Sequence, residues 1–193
     1  MKYNRKPLSD ILRFPKTVFT FKDISIIWEN PDRKSVISGV NYYVGSGQMY
    51  RVRRGIYAKD KNYSRDELAT RIYTPSYISF ETVLGREGIS FQYYNQIFVA
   101  SYLTRKITID NQVYCFRKIK GPILANPSGI ENVNETSIAA TQRAFLDMLY
   151  INPDYHFDSL SSIDWDKLFE ILPLYQNKRM IKIINKWYKK EKN

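Results

Sequence analysis

The sequence predicts an α+β fold in two parts, a small N-terminal domain over residues 1–61 and a mixed domain with a C-terminal helical tail over residues 62–193. Three observations predict it. Apolar residues recur at helical spacing up to Val44, then switch to alternation between Met49 and Ala58. Strand-like runs at Gln96–Tyr102, Arg105–Ile109 and Val113–Ile119 stand among helical segments further on. Charge is uneven as well: residues 1–61 carry thirteen Lys/Arg against five Asp/Glu, whereas residues 62–150 carry nine against eight.

Leu8–Phe14 is a short apolar-spaced segment stopped by Pro15. Thr20 is an N-cap for a second helix that brings Phe21, Ile24 and Ile27 or Trp28 to one side. Pro31-Asp32 opens a third helix, which Gly45-Ser46-Gly47 ends near Val44. Met49–Arg53, a turn at Arg54-Gly55 and Ile56–Ala58 then read as a hairpin.

At 100° per residue, the third helix places Val36, Ile37, Val40, Tyr43 and Val44 on one arc and Lys34, Ser35, Ser38, Asn41 and Tyr42 on the opposite one. That outer face holds hydrogen-bonding groups and a cation but no acid, whereas a merely solvated face usually mixes Glu with Lys. Arg33 falls on the inner side, in a first turn from which it can reach a phosphate. Arg51, Arg53, Arg54 and Lys59 make the hairpin basic. Helix, turn, polar-faced helix and basic hairpin is the layout of a winged helix-turn-helix, in which one helix reads the major groove and the wing lies along the backbone. These ten side chains are the candidate DNA contacts; the competing reading is a three-helix domain with a solvated hairpin.

In the second part, Ser64-Arg65-Asp66-Glu67 reads as a capping box opening a helix to about Tyr73, which Thr74-Pro75 stops. Ser79 is expected to cap Phe80–Glu87, with Gly88 at its end, and Asp110-Asn111 to turn the hairpin between the second and third strands. Thr141 is expected to cap a helix through Tyr150 with Ala144, Phe145, Met148 and Leu149 facing inward. Asp164–Leu172 precedes Pro173, and a last helix runs from Asn177 to Lys190. There Met180, Ile181, Ile183, Ile184, Trp187 and Tyr188 oppose Lys178, Arg179, Lys182, Lys186, Lys189 and Lys190. That basic face reads first as the solvated side of a docked helix, with a nucleic-acid or partner surface as the alternative.

Net charge +11 favours a polyanionic partner, nucleic acid before membrane. No apolar run reaches membrane-spanning length and no signal peptide is visible, so a cytoplasmic protein is expected. One Cys (Cys115, expected buried in its strand) and one His (His156, a loop residue without a nearby partner) make neither a disulfide nor a four-ligand zinc site. Glycine-rich phosphate loops, nucleophile elbows and zinc-protease motifs are absent. The paired acids Asp66-Glu67 and Asp164/Asp166 open helices, where carboxylates complement the macrodipole. Asp147 can pair with Arg143 one turn earlier. No catalytic residue, metal or cofactor is expected, and a metal-dependent nuclease is disfavoured because no short cluster joins acids to a Lys.

The winged-helix ending "MYRVRRGIYAKD", then "SYISFETVLGREGI" at Ser76–Ile89 and "AATQRAFLD" at Ala139–Asp147, occur in an order and spacing that resemble the AbiEi family of antitoxins over residues 18–150. "RRGIY" at Arg53–Tyr57 is the wing part of the match; Gln142 departs from the acidic residue usual there. The resemblance implies a type IV toxin–antitoxin (phage abortive infection) role. It implies an autorepressor that binds inverted repeats of double-stranded DNA in its own promoter, as a monomer or a weak dimer cooperating on DNA. It also implies a second domain that counteracts a nucleotidyltransferase-like toxin without a stable complex. The alternative is a stand-alone winged-helix regulator whose second domain senses a ligand or dimerises.

Overall fold

The computed structural model describes residues 7–191. The chain divides into two compact units between Ile72 and Tyr73, later than the expected boundary after residue 61. One helix accounts for the shift, and its chemistry shows why.

The first unit contains α1 (Pro7–Arg13), β1 (Val18–Thr20), α2 (Phe21–Ile27), α3 (Arg33–Gly45), β2 (Tyr50–Arg53), β3 (Ile56–Ala58) and α4 (Arg65–Ile72). Thr20 caps α2 as its position predicts: its hydroxyl accepts from the Asp23 amide at 3.2 Å, and the Asp23 carboxylate accepts from the Thr20 amide at 2.7 Å. Asp32 caps α3 by accepting from the Lys34 and Ser35 amides, both at 3.1 Å. Gly47, at φ 72°, supplies the left-handed turn that lets the chain leave α3.

β1 has no counterpart in the sequence reading, because three residues between two helices carry no periodicity of their own. It pairs antiparallel with β3, giving the sheet order β1-β3-β2. The hairpin is therefore the buried middle and outer edge of a three-stranded sheet, with Ile56, Tyr57 and Ala58 all enclosed. Ile11, Phe19, Ile24, Val36, Val40, Met49 and Tyr57 form the core. The inner arc of α3 holds for Val36, Val40, Tyr43 and Val44, but Ile37, at the rim of the arc, is exposed.

α4 belongs to this unit through a rerouted cap. Ser64 accepts from the Glu67 amide at 3.1 Å, which is half of the expected capping box. The Glu67 carboxylate, 1% exposed, turns instead to the amide and hydroxyl of Thr17, at 2.8 and 2.7 Å. Thr17 in turn accepts the Ser64 amide at 2.9 Å, so the box closes through a residue 47 positions away. Glu67 thus fastens α4 to the segment entering β1 rather than merely complementing a dipole.

The second unit is α+β. It comprises β4 (Ser76–Ile78), α5 (Glu81–Arg86), β5 (Gln96–Ser101), β6 (Arg105–Ile109), β7 (Gln112–Lys118), α6 (Gly121–Leu124), β8 (Ile130–Val133), β9 (Thr136–Ala139), α7 (Thr141–Ile151), α8 (Trp165–Ile171) and α9 (Lys178–Glu191). Its sheet runs β6-β7-β5-β4-β9-β8, with β5–β7 and β4–β9 parallel and the other pairs antiparallel. The Asp110-Asn111 turn has both residues at positive φ, as a tight hairpin requires, and Asn134-Glu135 repeats the device between β8 and β9. Residues Gln142–Leu149 of α7 are all buried, so this stretch is enclosed rather than amphipathic, while Thr141 and Tyr150 at its ends are half-buried.

Two expected caps are not made. Ser79 precedes α5, but the N-cap is Phe80, at φ 56°, with no side-chain bond. Ala140 rather than Thr141 precedes α7, again without a side-chain cap. Cys115 is half-buried on the opposite side of β7 from Tyr114 and Phe116, and its thiol donates to Gln96 Oε1 at 2.8 Å. Burial pushes that thiol's pKa up. In α9, Met180 and Ile184 are buried and Ile183, Trp187 and Tyr188 half-buried; Ile181 is exposed at the seam. Lys178, Arg179, Lys182, Lys186 and Lys189 face solvent, while the Lys190 side chain lies outside the described residues. No helix among the described residues is long and apolar enough to cross a membrane.

Candidate nucleic-acid interface

In the first unit the predicted outer face of α3 stands in solvent: Lys34, Ser35, Ser38, Asn41 and Tyr42 are all exposed. Arg51 and Arg54 are exposed in the hairpin and Arg53 is half-buried. A β-bulge between Arg51 and Arg53 changes the side-chain alternation that the sequence implied for β2. Gly55 takes the turn at φ 80°, and its carbonyl accepts the Phe21 amide at 3.0 Å, which ties the hairpin tip to the start of α2.

Helix and hairpin are linked directly. The Arg51 guanidinium donates to the Asn41 side-chain oxygen and lies 5.8 Å from the Tyr57 ring centroid. With its oxygen engaged, Asn41 is left with its amide N–H₂ as the side chain's free donor. Ser35 is likewise engaged, accepting from Asn30 Nδ2 at 3.1 Å. Arg33 lies 5.1 Å from the Phe21 ring centroid and so rests on α2. The Lys59 ammonium donates to the carbonyls of Leu12, at 3.1 Å, and Phe14, where a cation complements the C-terminal end of α1.

Sequence reasoning missed what lies behind this face. Trp28, Tyr43 and Tyr42, with Asp10, line an open cleft of about 420 Å³ that also touches Ser35 and Ser38. A glycine inside a helix costs about 1 kcal/mol relative to alanine, and Gly39 explains its own presence. A Cβ there would sit 3.0 Å from Trp28 Cζ3 and 3.3 Å from Cη2. A mid-helix glycine facing no known partner was the available signal.

The second unit concentrates its polar chemistry inside. The Arg143 Nε lies 3.4 Å from Asp147 Oδ1, as the one-turn spacing predicts, with both side chains fully buried. Tyr77 (2.9 Å), Ser79 (2.8 Å) and Tyr175 (2.6 Å) each donate a hydroxyl to Asp147. Arg143 donates to the Ile123 and Ser128 carbonyls at 2.6 and 2.7 Å and to the Tyr77 hydroxyl at 2.9 Å. Ser79 thus serves this network instead of capping α5. Burial raises the Asp147 pKa against the pull of Arg143 and the three hydroxyls, and burial beside Asp147 holds the Tyr77 and Tyr175 phenols protonated. At 0% exposure, Arg143 and Asp147 can hold the fold but cannot touch a partner.

Among the described residues no three His, Cys, Asp or Glu side chains converge as metal ligands. His156 is 88% exposed, with its Nε2 at 3.9 Å from Asp158, a neighbour that the sequence reading did not assign. Compared with protein-family models and with curated proteins, the chain matches none.

Proposed function

We propose that the first unit is a winged helix-turn-helix that binds inverted repeats of double-stranded DNA in the protein's own promoter, and that the whole chain is an antitoxin without catalytic activity of its own. The observation that carries the DNA reading is the Asn41–Arg51 bond. It joins the exposed polar face of α3 to the basic hairpin, so base-reading and phosphate-holding groups form one surface. The order α1-β1-α2-α3-β2-β3, with β1 paired to β3, supports the same layout.

The antitoxin reading rests on the resemblance to the AbiEi family. Two separate segments of that resemblance meet in space, since Tyr77 and Ser79 of "SYISFETVLGREGI" bond Asp147 of "AATQRAFLD". The segments that carry the resemblance thus supply buried, mutually bonded residues of this fold. The opposed partner would be a nucleotidyltransferase-like toxin, countered without a stable complex. The test has two arms: fluorescence anisotropy on the DNA upstream of the gene against scrambled DNA, and growth rescue of cells expressing a toxin encoded beside it. Equal affinity for both DNAs sinks the repressor reading. Failure to rescue, with the protein folded, sinks the antitoxin reading.

A further inference from the structure

The first turn of an α-helix leaves backbone N–H groups without intrahelical acceptors, and those groups need partners. α7 begins after Ala140, which offers no side-chain cap. The Ala140 amide donates to the Gly129 carbonyl at 2.8 Å and the Ala144 amide to the Ala140 carbonyl at 2.9 Å. The amides of Thr141, Gln142 and Arg143 lie between them, in the turn that has no intrahelical acceptor. Ala140, Thr141 and Gln142 line an open cleft of about 450 Å³, a volume within the range of small-molecule sites. Gln142 supplies the second observation. The residue is 8% exposed and lines this cleft, and its carboxamide makes no hydrogen bond to any described residue while its polar atoms keep contact with solvent. A side chain more than nine-tenths buried whose amide is left to the cleft is a group that a ligand can pair.

The lining defines what can fill the cleft. Uncapped amides at the positive end of a helix favour a carboxylate or a phosphate, and Lys167 adds a cation. Glu87 and Glu131 stand on the same walls and disfavour a dianion. Val83, Val133 and Ile138 supply an apolar flank. We propose that this cleft binds a free α-amino acid. Its carboxylate takes the first-turn amides of α7 and the Gln142 carboxamide, its ammonium faces Glu87 and Glu131, and its side chain lies on the apolar flank. The site uses second-unit residues alone and is independent of the DNA-binding reading.

The test is calorimetric titration of the full-length protein with each common L-amino acid, with acetate and with inorganic phosphate, at constant ionic strength. At least one amino acid should bind saturably and raise the melting temperature, acetate should bind more weakly, and phosphate should not saturate. Proline is tolerated at the first helical position, and Ala140, at ψ 160°, already has the conformation a residue before proline needs. Thr141→Pro removes one amide donor and should weaken binding about tenfold, roughly one lost charge-assisted hydrogen bond, with the unliganded fold intact by circular dichroism. Gln142→Leu, which removes an amide that makes no hydrogen bond to any described residue, should show the same loss with the unliganded fold intact by circular dichroism; if Thr141→Pro unfolds, this variant decides alone. Absence of saturable binding by any amino acid overturns the proposal, as does preference for phosphate or wild-type affinity in Gln142→Leu.

Discussion

In the first unit the polar side chains of α3 and the hairpin stand in water and make few bonds to the protein, whereas in the second Arg143, Asp147, Tyr77, Ser79 and Tyr175 bond one another at 0–4% exposure. Both arrangements come from helices carrying polar residues at regular spacing. What separates them is the surround. α3 has one face against the core, so its polar residues fall outward, while α7 is enclosed around Arg143 and Asp147, so these two find partners within. An exposed polar group is free to meet a ligand at little cost to the fold; an enclosed one holds the fold and is lost to recognition.

The largest expected effect breaks the enclosed side of this contrast. Asp147→Ala leaves the Arg143 charge buried without its partner, and three hydroxyls lose their acceptor. Removing one member of a buried ion pair costs roughly 3–5 kcal/mol, to be read as a lower urea midpoint for the second unit. The double variant Arg143→Met/Asp147→Leu should recover most of that loss, since a buried pair is replaceable by apolar residues of similar volume. A fully stable Asp147→Ala protein would show that the network holds little.

Next in size is the exposed side. Asn41→Ala should leave stability within about 0.5 kcal/mol of the parent while lowering the preference for operator over scrambled DNA by about 1–3 kcal/mol. With its side-chain oxygen held by Arg51, Asn41 offers a donor, which suits the purine N7 and O6 acceptors of the major groove. Unchanged preference would remove α3 from base reading.

How far the sequence disclosed these two regions follows from the range of the interactions involved. The Thr20 cap, the start of α3 after Pro31-Asp32, the outer face of α3 and the Asp110-Asn111 turn are local, and they are as the sequence predicts. The Arg143–Asp147 pair was visible at its one-turn spacing, but not its partners Tyr77 and Tyr175, 66 and 32 residues from Arg143. β1, β4, β8 and β9 are three or four residues long and are strands only because distant neighbours pair with them. Ser79 and Glu67 show local signals outcompeted: each sat at a plausible cap position, and each bonds a distant partner instead. Lys59 was assigned to the basic surface from its place beside the hairpin, and only the fold brings the end of α1 within its reach.

A third prediction separates the hairpin from α3. Arg54 is exposed at the tip, and in the proposed interface it would contact phosphate, adding affinity without reading sequence. Arg54→Ala should weaken operator and scrambled DNA to the same degree and flatten the plot of log affinity against log salt by about one unit of slope. A loss confined to the operator would mean that the hairpin reads bases.

The smallest expected effect asks whether α3 and the hairpin act as one surface. Arg51 is shared between them: it lies on β2, where it can hold a phosphate, and it orients Asn41 on α3. If it serves only as a cation, its removal and that of Asn41 should add, because a phosphate contact and a base contact at separate positions are independent. If it also fixes the Asn41 amide, Arg51→Ala frees that side chain to rotate, and part of the Asn41 contribution is already gone before Asn41 is changed. The double variant Asn41→Ala/Arg51→Ala should then lose less operator affinity than the two single variants together, by about 0.5–1 kcal/mol for residues in direct contact. Arg51→Ala alone should in addition lower operator discrimination, which Arg54→Ala should not. Strict additivity, with discrimination intact in Arg51→Ala, would reduce the bond to a contact of the unbound protein and leave helix and hairpin as two separate readers.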